Sequence, residues 1–253
     1  MNQINLFLEK IQKGKGTAAF YILALITVFV SFFPIIWLLF TSLMPAKDIY
    51  SWPPLYYPSP PTLTNYIKII ESSPELLLYI WNSIVVASIT TLIILLSGGL
   101  AAYALTRFKF KGQKAIMLGM LAVSMFPHIA ILPAIFIIFR SLGLINSYAS
   151  LITAHTGLFI TMAVWILANY FRSIPLDIED AAKIDGCGPL RLFWSIILPL
   201  SKPGIFATGL IMFIFSWNEF PLSLVLLHKN DMRTAPVGIS LYPGEYSFPW
   251  ETI

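Results

Sequence analysis

The chain has 253 residues, of which 57% are hydrophobic and only 11% carry a charged side chain. Soluble domains usually contain about 25% charged residues, so this composition excludes an ordinary soluble enzyme or binding module and indicates a polytopic membrane protein. The net charge of +4 is therefore interpreted through membrane topology and not as a sign of nucleic-acid binding. The single cysteine, Cys187, excludes an internal disulfide and a cysteine metal cluster.

Five apolar stretches are long enough to be transmembrane helices, because about 20 apolar residues cross the hydrocarbon core of a bilayer. The first begins after a polar segment and is too long for a signal-peptide core, so we predict that it is retained. In the second, Gly98 and Gly99 are small residues of the kind that lets neighbouring helices approach closely in lipid. The predicted spans cover residues 17–44, 76–106, 115–139, 148–170 and 205–227.

The segment 173–204, between the fourth and fifth spans, is rich in proline, glycine and acidic residues. Asp177 and Asp180 are three residues apart and resemble a capping box at a helix start. Gly186 stands where that helix should end, since glycine enters the left-handed conformation without steric cost. Pro189 suits the first turn of a second helix. The pattern predicts two short helices joined at Gly186 and the residues that follow it.

Lysine and arginine are divided unevenly between the two sides of the predicted spans. Eleven lie before the first span, between the second and third spans, and between the fourth and fifth spans, while the other loops hold five. The side richer in these residues is cytoplasmic, so we expect the N-terminus and segment 173–204 to face the cytoplasm. We interpret the basic cluster from Arg107 to Lys114 as a topology anchor against anionic lipid headgroups.

A spaced series of acidic, small and aromatic residues marks segment 173–204, namely Asp180, Ala181, Ala182, Asp185, Gly186, Phe193 and Pro199. This series resembles the EAA loop of binding-protein-dependent ABC importers. It departs from the family pattern at Asp180, where the family has Glu, and at Cys187, where it has Ala. In that family the loop is the coupling helix that docks on a cytoplasmic ATPase, and the resemblance implies this role for the seven residues. The alternative is an ordinary helical hairpin between two spans.

A second series, Trp217-Asn218-Glu219-Phe220, resembles a motif of MalG-like permeases in carbohydrate ABC importers. The resemblance extends over residues 82–220 and implies an all-α transmembrane bundle with the ABC type-1 importer permease fold. We expect one such domain over residues 1–253, with the coupling loop at about 171–204. Permeases of this family have six spans and a cytoplasmic C-terminus, so we also expect that this sequence stops before the sixth span.

The resemblance also implies partners, namely a second homologous permease subunit, an ATP-binding-cassette ATPase dimer and an extracytoplasmic solute-binding protein. ATP and magnesium are expected on the ATPase subunits, and no cofactor on this chain. The expected function is a permease subunit of an ATP-driven importer for sugars or oligosaccharides, which forms half of the translocation pathway. An importer of another small solute such as glycerol phosphate, an ion-coupled secondary transporter and an intramembrane enzyme remain as alternatives.

Glu219 is the only acid inside a predicted span. A charge at the membrane centre costs about 3 kcal/mol on insertion scales, so this side chain should face a cavity, a partner chain or the interface. Together with Trp217 and Asn218 it could hydrogen-bond and stack on a sugar in the substrate pathway. The alternative is that these residues bridge to the partner permease.

His128 and His155 stand alone, with no second ligand at metal-binding spacing, so we expect hydrogen-bonded interface histidines and no metal site. The sequence contains no Gly-x-x-x-x-Gly-Lys phosphate loop and no readable catalytic set of Ser, His and Asp or of paired carboxylates. We therefore expect no catalytic residues and no ATPase activity in this chain.

Overall fold

The structure, a computed structural model, describes residues 15–49 and 51–241 and divides the chain into two compact units, residues 1–74 and 75–253. Within the described residues every regular element is helical, which confirms the all-α prediction. Three helices are long and apolar enough to cross a membrane, and two strongly bent helix pairs raise the number of candidate spans to five. The polar segment before residue 15 and the expected lead-in to a sixth span after residue 241 lie outside the described residues.

The first unit contains one long apolar helix followed by a loop that folds back on its end. The side-chain amide of Asn65 donates to the carbonyls of Ser42 at 3.0 Å and Met44 at 2.7 Å. These bonds satisfy carbonyls that the last helical turn leaves without partners. The helices of this unit are α1 (Lys15–Ser42), α2 (Ala46–Ile49) and α3 (Thr64–Ser72).

The second unit is a helical bundle in which α4 and α7 pack along each other. Its helices are α4 (Glu75–Arg107), α5 (Gln113–Ser124), α6 (Leu132–Ser141), α7 (Tyr148–Arg172), α8 (Leu176–Ile184), α9 (Pro189–Leu192), α10 (Leu198–Leu200), α11 (Lys202–Asn218), α12 (Pro221–Leu226) and α13 (Ala235–Ser240). Short 3-10 turns cover His128–Ile131 and Asn230–Met232. The predicted spans at 76–106 and 148–170 correspond closely to α4 and α7.

Gly98 and Gly99 lie where α4 meets its neighbours, Gly98 against α7 and Gly99 against Phe193. A Cβ atom added at Gly98 would lie 3.5 Å from Val164 Cγ2, and one at Gly99 would lie 3.7 Å from the ring of Phe193. Both distances are ordinary van der Waals contacts, so these small residues lie close to their neighbours and leave room for an alanine methyl group. Buried clusters run the length of the bundle, with Phe171 and Phe193 at one end, Met212 in the middle and Leu226 at the other end.

The third predicted span is not a continuous helix. Residues 115–139 divide into α5 and a second arm at 128–141, and the two arms meet at an angle of 90°. Pro127 explains the break, because it adopts an extended ψ of 114° and has no N–H with which to continue the helix. Pro133 lies within the first turn of α6, where a proline is tolerated.

The fifth predicted span also ends earlier than expected. Residues 205–227 were predicted as one helix, but α11 ends at Asn218 and Glu219 is extended, with φ −69° and ψ 124°. Pro221 lacks the N–H that would continue the helical hydrogen bonds to Trp217, four residues earlier, and it opens the short helix α12. At its start α11 meets the arm 189–200 at 81°. The motif of Trp217 to Phe220 therefore lies at a break between helices and not inside one.

Candidate coupling loop and buried polar site

Helix α8 begins directly after Pro175, which occupies the position before the first helical residue with φ −57° and ψ 135°. No side chain caps this end, so the predicted capping box of Asp177 and Asp180 is wrong. Because Pro175 takes the cap position, Asp177 already lies in the first turn, where its charge still favours the helix dipole. Asp180 instead accepts a 2.8 Å hydrogen bond from Lys183, and that bond raises the pKa of the Lys183 ammonium.

The end of α8 is a Schellman motif. Gly186 has a φ of +79°, in the left-handed region. Its N–H donates to the carbonyl of Lys183 at 3.0 Å, and the N–H of Cys187 donates to the carbonyl of Ala182 at 2.9 Å. These two bonds satisfy the last carbonyls of the helix. The predicted helix end at Gly186 is confirmed, as is the second short helix that begins at Pro189.

After α9 the chain forms one wider π turn over Phe193–Ile197 and then the single turn α10. Pro199 accounts for the wider turn, because proline lacks the N–H of a regular helix and its ring clashes with the carbonyl four residues earlier. Phe193 is buried, and its ring centroid lies 5.2 Å from that of Tyr103 and 6.4 Å from that of Phe171. This aromatic contact fixes the second half of the loop to α4 and α7.

Helix α8 has one buried face and one exposed face. Glu179 and Ala182, three residues apart, are buried against the bundle. Asp180 and Lys183, also three apart, lie on the exposed side, and Ile184 near the helix end is 87% exposed. Of the residues expected to couple to an ATPase, the structure exposes Asp180, Ala181, Asp185, Gly186 and Pro199 and buries Ala182 and Phe193.

The buried face of α8 carries an ion pair that the sequence analysis missed. Arg107 Nε is in contact with Glu179 Oε1, and the two side chains are 8% and 2% exposed. Arg107 Nη2 also donates to the carbonyls of Phe171 at 2.8 Å and Ile174 at 3.2 Å. The interpretation of Arg107 as a headgroup anchor is therefore wrong, because its guanidinium is enclosed by protein. No signal for Glu179 was available in the sequence, because Asp180 and Lys183 have the same three-residue spacing on the opposite face of α8.

A second buried acid lies at the opposite end of α7. Glu219 accepts hydrogen bonds from the backbone N–H groups of Leu222 at 2.7 Å and Ser223 at 3.1 Å, and from the hydroxyl of Ser223 at 3.1 Å. Its carboxylate also lies 3.1 Å from Nε2 of His155, which is fully buried and whose Nδ1 is 2.8 Å from the hydroxyl of Ser216. Glu219 thus caps α12 and joins it to α7.

The other residues proposed from this motif have different surroundings. Trp217 is half-buried and stacks on Phe213 with 5.9 Å between ring centroids, and Asn218 is exposed. His155 makes the hydrogen bonds expected of a structural histidine, although it lies in the core and not at an interface. Among residues 15–49 and 51–241, no group of three or more His, Cys, Asp or Glu side chains is placed to hold a metal ion.

A cavity of about 280 Å³ lies next to Glu219. Its polar contributions come from Glu219 and His128, and its walls are otherwise apolar. The ring of His128 packs edge-on against Phe159 at 6.5 Å. The arrangement combines an aromatic surface with a few polar groups, which is the character of many small-molecule sites. The lining residues are His128, Ile129, Leu132, Leu158, Phe159, Glu219, Pro221 and Leu222.

Comparison with known proteins defines the class to which this bundle belongs. A family model described as "Binding-protein-dependent transport system inner membrane component" matches residues 94–243, which is more than half of the chain. This range contains the whole of the α8 loop and the break at Glu219. The chain belongs to that family and is a multi-pass membrane protein of the permease type.

Individual relatives agree with this placement. The sulfoquinovosyl glycerol transport system permease protein SmoH of Agrobacterium fabrum is 40% identical, over 92% of this chain and 81% of the relative. The trehalose/maltose transport system permease protein MalG of Thermococcus litoralis is 36% identical, over 91% of this chain and 83% of the relative. The trehalose transport system permease protein SugB of Mycobacterium tuberculosis is 34% identical, over 85% of this chain and 77% of the relative. The resemblance to MalG-like permeases is thereby confirmed.

The fold is shared with a solved transporter. A chain in the crystal structure of a bacterial ABC transporter involved in the import of the acidic polysaccharide alginate superposes with a TM-score of 0.74 at 20% identity. The superposition covers 97% of this chain and 85% of the other. This agreement confirms the predicted importer-permease fold. Membership of a transporter-permease family also sets aside the ion-coupled secondary transporter and the intramembrane enzyme.

Proposed function

We propose that this chain is one of two permease subunits of an ATP-driven importer for sugars or oligosaccharides. It pairs with a homologous permease, two ATP-binding-cassette subunits bind ATP and magnesium, and a solute-binding protein delivers the substrate from outside. The chain itself hydrolyses nothing. The support for a sugar comes from the names of its relatives, which transport sulfoquinovosyl glycerol, trehalose and maltose.

The observation that carries the coupling role is the two-faced character of α8. One face is fixed to the bundle, while the other presents Asp180 and the 87% exposed Ile184 at a helix end shaped by Gly186. Leu176 and Leu190 in the same segment are also more than half exposed, and a group of uncovered apolar side chains is typical of a surface that another protein covers. We assign this face to the ATPase subunit. The assignment requires α8 and the N-terminus to face the cytoplasm, as the uneven distribution of lysine and arginine indicates.

The break after α11 is assigned to the substrate pathway. Trp217, Asn218 and Glu219 lie there, and the cavity beside Glu219 combines an aromatic wall with polar groups. Broken helices in transporter cores place polar groups beside a central substrate path, and ATP-driven movement of α8 would open and close that path alternately to the two sides.

Two measurements test the proposal. The tagged chain, expressed with an ATP-binding-cassette subunit and a second permease of a sugar importer from the same organism, should retain the ATPase through detergent purification, and loss of the ATPase under these conditions contradicts the coupling role. The cognate solute-binding protein is then heated with trehalose, maltose, sulfoquinovosyl glycerol and glycerol phosphate. A rise in its melting temperature with a sugar supports the carbohydrate assignment, whereas a rise with glycerol phosphate alone overturns it.

A further inference from the structure

The attachment of α8 to the bundle depends on few contacts. Within this nine-residue helix only Glu179 and Ala182 are buried. Ala182 offers a single methyl group, which fixes distance but not direction. Glu179 offers a carboxylate in contact with Arg107, a residue in the last turn of α4. The ion pair is therefore the polar part of the attachment, and the orientation of the Arg107 guanidinium is set by its hydrogen bonds to α7 and the residues just beyond it.

Arg107 connects three helices and not two. Its Nε contacts Glu179 on α8, while its Nη2 donates to the carbonyl of Phe171 in the last turn of α7 and to that of Ile174 just beyond it. The last carbonyls of a helix have no partner within the helix and lie at the negative end of its dipole, so a cation there is favourable. The two Nη2 hydrogen bonds fix the plane of the guanidinium, so that its Nε faces Glu179, and a lysine ammonium could not reproduce this arrangement.

A buried ion pair is a poor way to gain stability alone. Removing two charges from water costs nearly as much as their attraction returns, and well-packed apolar residues of similar size often hold such a site equally well or better. A buried pair can instead serve to fix one relative orientation of the elements it joins. Here those elements are α8 and the adjacent ends of α4 and α7.

We propose that Arg107 and Glu179 are positioning residues that hold α8 rigidly to the ends of α4 and α7, so that α8 and these two long helices move together. This inference rests on the proposed contact between α8 and an ATPase. In that setting, a displacement of α8 on ATP binding is passed to both long helices at one junction and is not lost as local bending of the loop.

The test measures one intramolecular distance in the assembled importer. Spin labels are placed at Asp177→Cys on α8 and at Lys109→Cys just beyond α4, both exposed, in a Cys187→Ala background that removes the only native cysteine. With partner cysteines replaced, the distance distribution is recorded with and without MgATP. If the junction is rigid, the distance distribution has one narrow peak, and MgATP does not change its position or its width.

The decisive variant is the double substitution Arg107→Met with Glu179→Leu. We expect the importer to assemble with an unchanged or higher thermal midpoint, because apolar residues replace the pair. The labelled distance should roughly double in width and become sensitive to MgATP, since apolar side chains set no fixed direction. Arg172→Met, at the exposed end of α7, is the matched control and should leave the distance distribution unchanged.

The outcomes are separable. If the distance distribution of the double variant stays narrow and does not change with MgATP, the pair has no positioning role. If MgATP changes the distance in the protein with Arg107 and Glu179 intact, α8 moves independently of α4, and the proposal is wrong. Should the double variant fail to assemble, Arg107→Lys replaces it, because it keeps the charge but loses the two-way contact to α7, and it should broaden the distance. If the chain does not retain an ATPase, the proposed function is wrong. The width of the labelled distance distribution, measured in the chain alone, still shows whether the ion pair fixes α8.

Discussion

Glu179 and Glu219 are both enclosed acids, and each stands in or beside a short helix that follows a long one, but they are held in different ways. Glu179 depends on Arg107, a permanently charged residue of a different helix. Glu219 is held mostly by its own segment, through the N–H groups of Leu222 and Ser223, and is joined to α7 by His155. One acid joins distant parts of the bundle, and the other organises a local turn.

The two arrangements predict different effects when each acid is replaced. Loss of Glu179 leaves a charge buried at a junction of three helices, whereas loss of Glu219 leaves neutral donors that a water molecule could satisfy. Asp180 extends the comparison, because it is adjacent to Glu179 in sequence and yet exposed, with its partner Lys183 also in solvent. Neighbouring acids on α8 therefore serve opposite faces.

The largest effect is expected for Glu179→Ala. Breaking a buried ion pair by removing one partner typically costs about 3–5 kcal/mol, because the remaining charge is uncompensated. The thermal midpoint of the purified importer, followed by size-exclusion chromatography after heating, should fall clearly. Asp180→Ala is the matched control, and an equal loss of midpoint in the two variants would contradict the distinction between the buried and exposed faces.

Glu219→Ala should have a smaller effect on stability and a larger one on transport. Leaving the N–H groups of Leu222 and Ser223 without their acceptor costs about 1–3 kcal/mol. If Glu219 lines the pathway, uptake of the identified sugar in proteoliposomes should fall further than the yield of assembled complex. Glu219→Gln keeps an acceptor oxygen and serves as the control for the cap. A complex that dissociates in detergent, while the intact remainder transports normally, would instead favour a bridge to the partner permease.

Gly186→Val should uncouple the importer without unfolding the spans. A β-branched residue at a φ of +79° costs about 1–2 kcal/mol or redirects the chain after α8. We expect ATP hydrolysis that no longer responds to the sugar-loaded binding protein. The control is Gly188→Val, since Gly188 has a φ of −70° and, as at Gly186, an added Cβ meets no atom within 4 Å. Normal uptake with normal stimulation in the Gly186 variant would show that α8 is not the coupling element.

The smallest effect is expected for Lys183→Gln. The bond to Asp180 joins side chains that are 63% and 58% exposed, and such surface pairs contribute little. The thermal midpoint of the importer should not change measurably. A midpoint loss comparable to that of Glu179→Ala would mean that the exposed face of α8 also stabilises the fold.

Features that depend on local chemistry could be predicted from the sequence. Gly186 ends α8 because glycine adopts a positive φ without steric cost, and this can be read from the sequence. The order of the apolar segments along the sequence was sufficient to predict a helical bundle. The assignment of the family followed from the spacing of residues such as Asp180 and Phe193, and the family comparison confirms it.

Features that depend on distant partners could not be predicted. Arg107 and Glu179 lie on different helices, and the sequence does not say which face of α8 meets α4. Glu219 and His155 were both considered, but separately, because nothing in either local pattern specifies their contact. The break at Glu219 could have been expected from Pro221, which has no N–H to continue the helix and is favoured in a first helical turn, but the apolar composition of 205–227 outweighed it.

The right-angled corner between α5 and α6 has a consequence for the surrounding bilayer. At a rise of 1.5 Å per residue the two arms are about 18 Å and 15–21 Å long, and each is shorter than the roughly 30 Å of a hydrocarbon core. Because each arm is shorter than the hydrocarbon core, lipid tails beside at least one arm do not match its length. Lipid-exposed backbone that is not helical is not tolerated at membrane depth, so protein or water must adjoin the carbonyls around Pro127. Lipid tails therefore cannot surround this corner on all sides, and part of its perimeter is covered by protein or by water.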